Sequence, residues 1–189
     1  MHKNQTTDPA KLRNADPVFT APGSQTFCDY WKRLKSETCN LPGKLPSRSQ
    51  FDPVSIPRLL PDIMLFERLE PGKFLVRLQG TAFRDRELSD RTGRIMEAVP
   101  GNDIRNQTIE KMNLILDKPC GLRQIGVELN RNGRKVLTET AAFPLANENG
   151  IPSFIVAMVS ILETVGYHDG TPLVDELFEI RSQTEIPLD

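Results

Sequence analysis

Between Ile151 and Leu162 the chain reads IPSFIVAMVSIL, an apolar run with no polar alternation. As a strand it places Phe154, Val156 and Met158 on one side and Ile155, Ala157, Val159 and Ile161 on the other. A strand apolar on both sides must be covered on both, so it belongs inside a sheet with a layer above and a layer below. The run is shorter than the roughly 20 residues a membrane-spanning helix needs, and Pro152, Ser153 and Ser160 interrupt it. One core of ordinary size suits the 189 residues of the chain.

Residues 1–23 hold Pro9, Pro17, Pro22 and Gly23 without apolar periodicity, which predicts a flexible N-terminal arm. From Ser24, an N-capping serine, SQTFCDYWKRLKSE sets Phe27, Trp31, Leu34 and Thr38 at helical spacing, giving an amphipathic helix with a narrow apolar stripe. Pro42, Pro46, Pro53, Pro57 and Pro61 then keep regular structure short, although Asp52 and Pro53 form a cap for one helical stretch to about Leu60. IMLFERL (63–69) and FLVRLQ (74–79), joined by EPGK, predict an antiparallel pair.

TAFRDREL and RTGRIMEAV predict two short helices, and NDIRNQTIEKMNLILD (102–117) a longer one that Pro119 ends. GLRQIGVEL, RKVLTETAAFPL and IPSFIVAMVSILE, separated by the turns NRNG and NENG, predict a three-strand meander. The acidic tail 165–189 carries one expected helical turn around Leu173 to Ile180. The fold class is therefore α+β: one antiparallel sheet packed against helices, within a domain of residues 24–164. The amphipathic helix around Trp31, or its copy from a second subunit, is the natural cover for the outer face of the last strand.

Lys plus Arg (24) nearly cancels Asp plus Glu (25), so no net field draws in nucleic acid or an anionic membrane. Cys28, Cys39 and Cys120 are odd in number, lack a Cys-x-x-Cys pair and have no nearby histidine, which argues against a disulfide framework and a zinc site. The polar N-terminus has no apolar segment of the secretory kind, and a cytoplasmic location is expected. Around Gly80 and Gly93, VRLQGTAFRDRELSDRTGR has neither the spacing of a phosphate-binding loop nor the glycine triplet of a dinucleotide site. A structural glycine turn is the remaining reading.

Several motifs occur in order: YWKRL, LPSRSQFDPVSIPRLLPDI, VRLQGT, RTGR, CGL and FPLANENGIPSFIV. Together they resemble the short bacterial single-PAS-domain proteins found mainly in alphaproteobacteria, over about residues 24–164. The resemblance implies a PAS-like five-stranded antiparallel sheet with a cluster of helices on one face and an N-terminal amphipathic helix. It also implies a sensory role, a homodimer, and a small ligand between sheet and helices. Haem is disfavoured because neither His2 nor His168 lies within 24–164. A covalent flavin photosensor is disfavoured because Cys120, at the start of a strand, does not match the reactive cysteine of such a site.

An apolar or weakly anionic ligand then has candidate lining residues in Met96, Ile109, Met112, Leu116, Ile125 and Val127, whose alternative role is simply to fill the core. Arg77 has three open readings: an ion pair with Glu67 across the hairpin, an exposed rim arginine, or a clamp for a ligand carboxylate or phosphate. Phe27, Trp31 and Leu34 form the candidate interface for a second copy or a signalling partner. Without histidine in 24–164 the usual Ser-His or Cys-His pair cannot be assembled there, and the expected chemistry is non-catalytic. Two functions remain open: a ligand-responsive sensor, and a ligand-free adaptor that uses the fold as a dimerising scaffold.

Overall fold

The computed structural model describes residues 19–38, 44–86, 90–129, 133–167 and 177–188. The first 18 residues of the expected arm, Cys39, both histidines and most of the NRNG turn lie outside the described residues. Among the described residues, three α-helices, α1 (Pro22–Thr38), α2 (Thr81–Arg86) and α3 (Asp103–Asp117), accompany seven strands. The strands are β1 (Ile63–Glu70), β2 (Lys73–Gln79), β3 (Ile95–Glu97), β4 (Gly121–Leu129), β5 (Arg134–Ala146), β6 (Pro152–Tyr167) and β7 (Leu177–Ile186). They form one sheet in the order β3-β2-β1-β6-β5-β4-β7, every neighbouring pair antiparallel.

The two-faced strand is β6, paired with β1 on one side and β5 on the other. Val156 and Met158 enter a core closed by Phe27, Trp31 and Leu34 of α1. Ile155, Ala157 and Val159 enter a second core closed by Ile109, Met112, Ile115 and Leu116 of α3. Trp31 stacks on Phe143 at 5.0 Å between ring centroids, and its Nε1–H donates to the Pro144 carbonyl at 3.2 Å. Burial of such a side chain contributes about 2–3 kcal/mol, so α1 is held chiefly by this stripe.

Several local expectations are corrected. Helix α1 starts at Pro22, two residues before the expected cap, because proline at the first helical position needs no N–H partner. Ser24 lies inside the helix with its Oγ 3.0 Å from the Ser160 Oγ, and Phe19 is already buried. The helical stretch expected from Asp52 to Leu60 is broken into one-turn 3-10 helices at Pro53–Ser55 and Leu60–Asp62, since Pro57 and Pro61 lack the N–H that a continuous helix requires. Asp52 still caps the first of these, accepting from the Val54 N–H at 3.0 Å.

The second short helix is instead β3, whose Ile95, Met96 and Glu97 pair with β2. The helical turn expected near Leu173–Ile180 gives way from Leu177 onward to β7, paired along β4. The sheet therefore has seven strands where the resemblance implied five. Gly80 confirms the structural reading of its turn: a Cβ there would lie 2.2 Å from the Pro61 carbonyl oxygen, so only glycine fits where the two backbone segments touch.

Candidate functional site

The sheet separates two candidate regions. On the side covered by α3, strand alternation and the helical stripe bring Ile109, Met112 and Leu116 together with Phe74, Val76, Phe83 and Leu122, and half-buried Met96 packs against them. Four of the predicted lining residues therefore meet. Ile109, Met112 and Leu116 are each buried among the chain's own side chains.

The other three predicted ligand residues do not join them. β4 and β5 pair without a slip, with Leu122 opposite Ala142 in the second core and Arg123 opposite Ala141 in the first. Ile125 and Val127, at odd positions like Arg123, thus fall on the α1 side of the sheet. Arg77 sits where the β1–β2 register slips: Leu65 faces Leu78 and Phe66 faces Val76, leaving Arg77 as the extra residue. Its guanidinium is half exposed and pairs with Glu67, the ion-pair arrangement among the three readings.

On the α1 side lies a group that sequence reasoning passed over. Glu139 of β5 is fully buried, and its carboxylate accepts from the Thr20 N–H at 2.9 Å, the Ala21 N–H at 2.8 Å and Arg123 Nε at 2.7 Å. Arg123 also donates to Thr20 Oγ1 at 3.0 Å. A strand carboxylate thus satisfies backbone donors at the head of α1, where no helical carbonyl is available to them. Burial pushes the Glu139 carboxyl upward, but the two backbone N–H groups and Arg123 outweigh it and hold the carboxyl below the ordinary range. The signal was present: Glu139 shares a strand face with Ala141, Phe143 and Leu145, and a lone carboxylate on an apolar face needs a partner.

Beside this carboxylate an open groove of about 600 Å³ is lined by Thr20, Ala21, Pro22, Arg123, Ile125, Leu137, Ile161, Leu162 and Glu163. Its walls are largely aliphatic and Arg123 supplies a fixed guanidinium, a combination that suits an apolar molecule with one acceptor group. The candidate interface faces inward: Phe27, Trp31 and Leu34 are at most 8% exposed against their own sheet. Cys120 is half buried, and burial first, then the nearby Glu185, pushes its thiol upward, which keeps it protonated and weakly nucleophilic. Among the described residues no three His, Cys, Asp or Glu side chains are grouped to hold a metal ion, and no helix is long and apolar enough to cross a membrane.

A protein-family model described as a PAS domain matches residues 19–159. Comparison with curated proteins finds no match.

Proposed function

The chain belongs to the PAS domain family, and from that premise we propose that it is a non-catalytic signalling module that works through protein contact and self-association. PAS domains are in general sensory or interaction modules, and they commonly mediate dimerisation. The observation that carries the interaction reading is the α3-side core. Ile109, Met112 and Leu116, the positions expected to line a ligand cavity, pack against one another and against Phe74 and Phe83. An interior filled in this way supports a scaffold whose output is a surface.

A second reading, a sensor for a small apolar or weakly anionic ligand, is favoured by the groove on the opposite face. Ile125 and Arg123 meet there beside Thr20, Ala21 and Pro22. A ligand in it would touch the first residues of α1, and would bias helix docking only by binding two arrangements with different affinity. Native mass spectrometry of the purified full chain, compared with the denatured mass, separates the readings. A dimer of unmodified subunits supports the interaction module; extra mass per subunit that is lost on denaturation supports the sensor.

A further inference from the structure

We infer that β7 is an exchangeable strand, and that the edge of β4 it covers is the docking edge for β7 of a second copy of this chain. The inference rests on the self-association reading above and specifies the surface used. β7 is the outermost strand next to β4, with register shifts at Ile125/Gly126 and Val127/Glu128. Of the side chains described from Glu179 to Leu188, Ile186 alone is buried. From Glu179 to Leu188 the strand is therefore held by its main-chain ladder and by one core side chain, Ile186, with Leu188 packed beside it.

The connection also leaves the choice of partner open. β6 ends at Tyr167, and β5 and β4 separate it from β7, a span of about 14 Å at ordinary strand spacing. The connecting residues 168–176 can reach about 30 Å when extended. Chain length does not confine β7 to its own sheet.

A second copy is the occupant that can reproduce the specific fit of β7. Gln183 Nε2 donates to Gln124 Oε1 at 2.7 Å, Lys111 lies 3.8 Å from Glu185, and Lys35 Nζ donates to the Leu188 carbonyl. These complements stand on β4, α3 and α1, so every copy of the chain presents the same ones to a partner's β7. Exchange then keeps each contact and changes only which chain supplies the strand. The alternative surface, the apolar stripe of α1, is already buried in its own subunit.

The test uses the full chain carrying Cys28→Ala, Cys39→Ala and Cys120→Ala together with Gln124→Cys and Gln183→Cys, which places one thiol on each strand at a directly opposed pair. The dimer fraction is isolated by size-exclusion chromatography with light scattering, oxidised, and run denatured without reductant. Exchange is expected to give a disulfide-linked species at twice the 21.3 kDa subunit mass. A dimer whose disulfides all close within single chains overturns the exchange and leaves self-association standing. A chain that is monomeric at every concentration overturns both. Should the substitutions prevent folding, hydrogen exchange on the unmodified chain decides: β7 amides are expected to open while β5 and β6 stay protected, and equal protection of all three overturns the inference.

Discussion

Replacing Glu139 by glutamine keeps the shape of the side chain and removes its charge, which isolates what the buried carboxylate does for α1. One oxygen serves the Thr20 N–H and Arg123 Nε, and the other serves the Ala21 N–H. An amide has one acceptor oxygen, so wherever it settles at least one of these donors faces an NH₂ group. Arg123, mostly buried, also loses its counter-charge. Breaking a buried pair in this way costs about 3–5 kcal/mol. For a chain of this size each kcal/mol lowers Tm by about 2–4 °C, so Glu139→Gln is expected to lower Tm by about 6–20 °C. Arg123→Met is expected to cost less, about 1.5–3 kcal/mol, because both backbone donors remain.

Urea unfolding followed by circular dichroism and by the fluorescence of Trp31, the sole tryptophan, measures both variants. A Glu139→Gln protein within 1 kcal/mol of the parent, the low end for losing even one such bond, would refute the anchoring role. A larger loss from Arg123→Met would show that the ion pair, and not the helix head, is the main partner. The pH dependence has a fixed sign. Because the folded carboxyl titrates below its ordinary value of 4.5, its contribution is complete above that value and disappears as pH falls through the lower folded value. Acid unfolding in this window is therefore expected to be steeper in the parent than in Glu139→Gln.

Four further outcomes follow from the packing. Trp31→Ala is expected to cost about 3–5 kcal/mol in urea unfolding, since it empties the stack on Phe143. Gly80→Ala puts a Cβ against the Pro61 carbonyl oxygen, which cannot move aside like a side-chain end, and is expected to reach or exceed the upper end of the ~1–3 kcal/mol typical of overpacking. Arg77→Ala is expected to change stability by less than about 1 kcal/mol, because its pair with Glu67 is half exposed; a larger loss would give it a role beyond that pair. Alkylation of Cys120 by iodoacetamide at pH 7 is expected to be slower than that of a free cysteine, and a rate equal to it would contradict the burial of the thiol.

The long elements were legible because each has a period and a stop signal. The stripe of α1, the run from Asn102 to Pro119 and the two-faced strand all appear where the pattern puts them. β3 was misread because RTGRIMEAV is too short for either period to dominate, and its strand state comes from pairing Ile95–Glu97 with β2. β7 was misread for a similar reason: LFEIRSQTEI is mixed in polarity, and its strand state is supplied by the free edge of β4. Grouping the lining residues failed at Ile125 and Val127 because alternation assigns faces only once β4 is in register with β5. For Arg77 the pair with Glu67 was among the legible readings, whereas the one-residue slip in β2 that sets it apart from the lining residues cannot be read from composition.

β6 is a partition one strand thick between two packed interiors. Ile155 faces one and Val156 the other, yet their Cα atoms are tied by a single rigid peptide unit. A shift of α1 that displaces Val156 or Met158 cannot be absorbed on its own side, because Ile155, Ala157 and Val159 move with the same backbone against α3. The two helices, which lie on opposite faces and have no need to touch, are in this sense geared through one wall. A volume change of a single methylene on either side becomes a displacement on both.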